Sequence, residues 1–126
     1  MKILIIEDDI AARLVLKMRL RDANLFTSLD FETATNIKEA RTLINYFRPD
    51  LITLDLLLDT GKMEDTIAAI PELSKAAPVI VVSGSHHVDL EKTLLSAGAV
   101  MVLDKRELSS VSIAKKVFSV VKKVKS

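Results

Sequence analysis

Cysteine is absent from the 126-residue chain, which excludes disulfides, thiol nucleophiles and thiolate metal sites and fits a reducing compartment. Glycine is scarce: Gly61, Gly84 and Gly98 lie far apart, so the glycine-rich turn that a flavin or dinucleotide site wants after its first strand has no candidate. No apolar run approaches membrane-spanning length, and Met1-Lys2 leads straight into a short strand, not a signal peptide. A cytoplasmic chain without membrane contact is the expectation. Neither sign of charge dominates, since 18 basic and 17 acidic residues leave a formal net charge of +1. Nucleic-acid binding would rest on the closing lysines, and Lys115, Lys116, Lys122 and Lys123 read instead as the wet face of an amphipathic helix.

Apolar residues make up 49% and charged residues 28%, a balance that predicts one folded domain over residues 1–126 and excludes disorder. Within it, short apolar runs alternate with helical periodicity. Lys2–Ile6 reads as a buried parallel strand and stops at Glu7-Asp8-Asp9, with Asp9 suited to cap a helix over Ile10–Arg21. Leu14, Val15, Met18 and Leu20 form that helix's expected apolar stripe. After an irregular segment over Ala23–Ser28, alternation along Leu29–Thr33 predicts an edge strand. Asn36 and Glu39 have the spacing of a capping box, opening a helix that turns Ile37, Ala40, Leu43, Ile44 and Phe47 inward. Pro49 then precedes the run Leu51–Leu58, a strand buried on both faces with Asp55 as its one carboxylate.

A third helix is predicted over Glu64–Lys75 through Ile67, Ile70 and Leu73, kinked or shortened by Pro71. The strand Val79–Val82 ends in Ser83-Gly84-Ser85, and the following helix, Asp89–Ser96, has Gly98 placed as its C-cap. The strand Val100–Leu103 ends at Asp104-Lys105, and a last helix over Ser110–Lys123 sets Val111, Ala114, Val117, Phe118 and Val121 toward the core. Strands alternating with helices in this way predict an α/β fold, a doubly wound five-stranded parallel sheet in three layers.

The carboxyl edges of such a sheet lie side by side, which gathers Glu7, Asp8, Asp55, Ser83 and Lys105. Clustered acids either hold protons or recruit a hard divalent cation, and oxygen-only ligands favour Mg²⁺ over zinc. A hydroxyl and an ammonium facing that cation suit a phosphoryl group, whose oxygens need neutralising from several sides. His86 and His87, adjacent in a loop and without partners at ligand spacing, are assigned to solvent.

Taken in order, the acidic pair Glu7-Asp8, then Asp55, Ser83 and Lys105, with the approach Gly98–Lys105, resemble the response regulator receiver domain of two-component signalling over nearly the whole chain. The resemblance implies a flavodoxin-like (βα)₅ fold and a signalling domain, not a metabolic enzyme. It implies Asp55 as the phosphoacceptor, attacking a phosphohistidine on a sensor histidine kinase or phosphotransfer protein, or a small phosphodonor. Asp8, Asp55 and the backbone carbonyl of Leu57 would bind Mg²⁺, with Mn²⁺ as a substitute and Glu7 acting mainly through water. Lys105 would pair with the phosphoryl group and Ser83 would hydrogen-bond it. The implied partners are a downstream protein or an output domain on a longer chain, with homodimer formation an option and no direct nucleic-acid contact.

Several residues depart from the family's pattern. Asp59-Thr60-Gly61-Lys62 lacks the usual proline, Val102 stands where receivers carry a switch aromatic, and Arg106 follows Lys105 in place of proline, which predicts a trans Lys105–Arg106 bond. Leu57 and Ser85 flank the water path in receivers, and Leu57 cannot orient a water, so slow loss of phosphate is expected. The alternative reading is a degenerate receiver that binds its partner without phosphorylation. An aspartyl phosphatase is disfavoured, because it would carry a second Asp at position 57.

Overall fold

The computed structural model of the chain describes residues 1–26, 28–58, 62–84, 88–109 and 112–125. Its elements run β1 (Lys2–Ile6), α1 (Ile10–Asp22), β2 (Asp30–Ala34), α2 (Ile37–Phe47), β3 (Leu51–Asp55), α3 (Met63–Ala76), β4 (Val79–Ser83), α4 (Val88–Ala97), β5 (Met101–Asp104), a 3₁₀ turn (Lys105–Ser109) and α5 (Ile113–Lys125). All strand pairings are parallel, in the order β2-β1-β3-β4-β5. This is the doubly wound flavodoxin-like fold. Its direction of winding reverses between β1 and β3, the switch point at which such sheets bind ligands.

Alternating side chains divide the core into two layers. Leu4, Ile6, Ile52, Leu54, Val79 and Val81 pack against Ala40 of α2, Ala69, Ile70 and Leu73 of α3, and Leu94 of α4. Ile3, Ile5, Leu51, Ile80, Val82 and Leu103 pack against Leu16 and Leu20 of α1 and Ile113, Ala114, Val117 and Val121 of α5. Strands covered on both faces need continuous apolar runs, as β1, β3 and β4 have. Among the described residues no helix is long and apolar enough to cross a membrane.

Helix ends follow local chemistry. Asp9 Oδ1 accepts the Ala11 N–H at 3.0 Å and Asn36 Oδ1 accepts the Glu39 N–H at 2.8 Å, so both N-caps form, while Glu39 Oε1 accepts in return from the Asn36 side-chain amide at 3.2 Å. The α4 terminus is a Schellman motif: Ala99 N–H reaches Leu94 O and Gly98 N–H reaches Leu95 O, with Gly98 at φ +124°.

Other expectations need correction. β2 and β5 each begin and end one residue later than alternation suggests, and β3 stops at Asp55, leaving Leu56–Leu58 as loop. α3 is not shortened: it continues through Pro71 to Ala76, with Pro71 on the exposed side, where the missing N–H costs least. α4 gains a residue at each end, and α5 runs from Ile113, with a 3₁₀ turn over Lys105–Ser109 before it. On α1, Leu14 and Met18 are 60% and 48% exposed, and the buried residues are Leu16 and Leu20. Two apolar rows run along this helix, and periodicity alone does not say which turns inward. Asp59, Thr60, Gly61, Ser85, His86, His87, Ser110 and Val111 lie outside the described residues.

A Cβ added at Gly98 would meet Ser74 Oγ at 3.1 Å in a backbone region that favours glycine. Gly98→Ala is expected to cost roughly 1–3 kcal/mol, read as a lower midpoint in urea unfolding. An unchanged midpoint would contradict the strain argument.

Candidate functional site

Strand parity builds the site. Asp55 closes β3 on the α1/α5 side of the sheet, and Glu7, two residues past Ile5, extends the same row from β1. Both carboxylates are therefore buried, at 3% and 5% exposure, beneath α1. The Leu57 N–H donates to Asp55 Oδ1 at 3.2 Å, holding the carboxylate in a turn of its own loop. Asp8 is half-buried, and one carboxylate oxygen from each of Glu7, Asp8 and Asp55 lies within 4.8 Å of the others. Asp9 faces out and serves the helix cap.

Ser83 ends β4 and is buried, one residue beyond the Val82 that pairs with Asp55. Lys105 follows β5 and reaches back across the sheet edge: its Nζ is 3.0 Å from Glu7 Oε1 and 3.3 Å from Asp55 Oδ2. The structure thus brings Glu7, Asp8, Asp55 and Lys105 together, with Ser83 buried at the end of the neighbouring strand. Leu57 meets Asp55 through its backbone N–H, and the residue is 52% exposed.

Burial, and then the hydrogen bond with Asp55, push the Glu7 carboxyl up to about 8 against the opposing pull of Lys105. Burial alone would lower Lys105, but its hydrogen bond to Glu7 and the charges of Asp55 and Glu7 hold the ammonium above its ordinary value. The cluster is short of positive charge. An all-oxygen set of three converging carboxylates fits a hard divalent cation and offers nothing to a soft one. The cavity beneath Glu7 and Asp55, lined by Ala12, Leu16, Thr53 and Leu108, measures only about 10 Å³. No flavin or dinucleotide ring enters there.

Sequence reasoning missed the hydrogen bonds that flank Lys105. Asp104 Oδ1 accepts the Arg106 N–H at 2.9 Å, while the Asp104 N–H donates to Glu107 Oε2 at 3.0 Å. This is a capping box on the 3₁₀ turn, and its signal, an acid followed three residues later by Glu, is legible in Asp104-Lys105-Arg106-Glu107. No peptide bond among the described residues is cis, so the Lys105–Arg106 bond is trans.

The sequence family described as the response regulator receiver domain matches residues 3–117. A protein-glutamate methylesterase/protein-glutamine glutaminase 3 of Paramagnetospirillum magneticum is 34% identical over 111 residues, covering 86% of this chain and 30% of that protein. The chain therefore spans less than a third of that relative's length. The signal receiver domain of the response regulator NarL from Mycobacterium tuberculosis superposes with a TM-score of 0.75 at 22% identity, covering 96% of this chain and 95% of that one. The Mn²⁺-bound form of response regulator Rcp1 superposes with a TM-score of 0.68 at 26% identity, covering 99% and 91%.

The raised Glu7 carboxyl carries a stability consequence. The folded protein keeps this proton up to about pH 8, whereas the unfolded chain releases it near 4.5, so cation-free stability falls as pH rises through that window. Glu7→Gln should flatten the fall and exceed wild type at the alkaline end by about 1–2 kcal/mol, measured by urea unfolding in chelator. Parallel profiles for the two proteins would show that Glu7 is not the titrating group.

Proposed function

The chain belongs to the response regulator receiver domain family, and we propose that it works as a phosphoacceptor, with residues 1–126 acting as one receiver unit and Asp55 taking the phosphoryl group. The observation that carries this reading is the Lys105 ammonium set 3.0 Å from Glu7 and 3.3 Å from Asp55, where three carboxylates converge. A carboxylate oxygen of Asp55 attacks phosphorus in line. The bond to the donor, a phosphohistidine nitrogen or the acyl oxygen of acetyl phosphate, breaks with its electron pair on the leaving group.

Glu7, Asp8, Asp55 and the Leu57 carbonyl are the groups to hold Mg²⁺ or Mn²⁺, and such an ion supplies charge neutralisation for the phosphoryl oxygens. Support for this comes from the donor set and from the Mn²⁺-bound form of Rcp1. Lys105 has two tasks in sequence. Before transfer it screens Glu7 and Asp55 from each other, and after transfer its ammonium pairs with a phosphoryl oxygen, the stronger acceptor. Ser83, buried at the end of β4, donates its hydroxyl to a second oxygen. The new charge thereby draws on β4 and β5 together, which is how a local modification biases a partner surface.

The donor is a histidine kinase or phosphotransfer protein, and the output passes to a partner protein or attached domain. Leu57 leaves the attack path without a hydrogen-bonding side chain, which favours a long-lived acyl phosphate.

Intact-mass analysis after incubation with acetyl phosphate and Mg²⁺ should show one phosphoryl group on wild type and none on Asp55→Asn. Label on Asp8, or a wild type that no donor labels, would reject the assignment. Cation binding separates the neighbours. Asp8→Asn should weaken Mn²⁺ at least about tenfold. Asp9→Asn should bind Mn²⁺ like wild type, because Asp9 is spent on the helix cap. Equal losses in an Mn²⁺ titration would place the ligand set elsewhere.

A further inference from the structure

We propose that Glu107 is a positioning residue of the Asp55 site: it caps the 3₁₀ turn that begins with Lys105 and ties that turn to α5, so fixing where the ammonium is presented. The inference rests on the phosphoacceptor reading of Asp55 and concerns residues that reading leaves unused.

A lysine side chain is long and rotamer-rich, so its head group is placed only as well as its backbone is. Lys105 stands at the first position of a 3₁₀ turn of five residues, whose internal hydrogen bonds are poorer in geometry than those of an α-helix. Its two flanks are bonded across it: Asp104 Oδ1 takes the Arg106 N–H, and Glu107 Oε2 takes the Asp104 N–H. The Arg106 guanidinium closes on Asp104 from outside, with Nε 3.0 Å from Oδ1 and Nη2 2.6 Å from Oδ2.

Glu107 also reaches a second element. Its Oε1 accepts from Lys116 Nζ on α5, so one carboxylate spans the end of β5 and the neighbouring helix. Lys116 also holds the Glu107 carboxyl below its usual range, keeping it ionised as both contacts require. One residue on, Leu108 is buried beside Leu16 and seats the turn on the core under the site. Where receivers carry a proline after the lysine, this chain substitutes a hydrogen-bonded brace.

Wild type, Glu107→Gln, Glu107→Ala and Lys116→Met are compared as full chains. Acylation of the Lys105 amine by a small reactive ester is read by peptide mass against the exposed Lys92. Asp55 labelling by acetyl phosphate in Mg²⁺ is timed in parallel. Glu107→Ala should raise Lys105 acylation severalfold and slow labelling about tenfold. Glu107→Gln, which keeps the accepting oxygen of the cap, should recover most of both, a rescue that a general loss of stability does not produce. Lys116→Met, which cuts the tether and leaves the cap, should give a milder rise. Lys105 equally protected in all four proteins, or a Gln variant no better than Ala, overturns the proposal. If wild type takes no label on Asp55 while Lys105 protection still follows residue 107, the phosphoacceptor reading fails and the positioning of Lys105 by Glu107 stands.

Discussion

The contact that the site depends on is the ammonium of Lys105 lying against both Glu7 and Asp55. Two nearly buried carboxylates side by side are costly, since each loses water and each repels the other. The fold tolerates them because a cation arrives from β5 and because Glu7 keeps its proton near neutrality. A site arranged in this way has an unmet demand for positive charge. Three converging carboxylates beside one ammonium suit a hard divalent cation.

Topology makes the contact available. β1 and β3 are neighbours at the reversal of winding, so the residues that follow them share one edge, and β4 and β5 continue that edge outward. Side-chain parity then sends Glu7 and Asp55 to the α1/α5 layer with Ile3, Ile5 and Leu51, while Ile6 and Leu54 fill the opposite layer. A one-residue slip in either strand would reverse this and bury the acids among the α2–α4 contacts. The apolar runs of β1 and β3 therefore act on the site as well as on the core, since they fix the register that points two carboxylates the same way.

The departures from the family's pattern fall on the connections. Val102 is half-buried in β5 where receivers carry a rotating aromatic, and Arg106 occupies the place of a proline. The backbone after Lys105 takes a trans 3₁₀ path braced by Asp104, Arg106 and Glu107. The support on the far side of Lys105 is thus a hydrogen-bonded turn. Through Glu107 that turn is joined to Lys116 of α5.

Much of this was legible in the residues themselves. Period and punctuation determined the strand and helix order, the parallel doubly wound class, the caps at Asp9, Asn36 and Gly98, and the gathering of Glu7, Asp8, Asp55, Ser83 and Lys105 at one edge. These are local matters, set by backbone preference and by the alternation that burial on two faces demands. Only the tertiary structure decided which apolar row of α1 faces the sheet, since Leu14 and Leu16 are equally apolar and helix rotation is chosen by the partner surface. It also decided that Glu7 touches Lys105 directly, and that Glu107 braces the turn beneath it. Those facts depend on distances between residues far apart in the chain, such as Lys105 and Glu7, and no spacing along a sequence encodes a distance across a sheet.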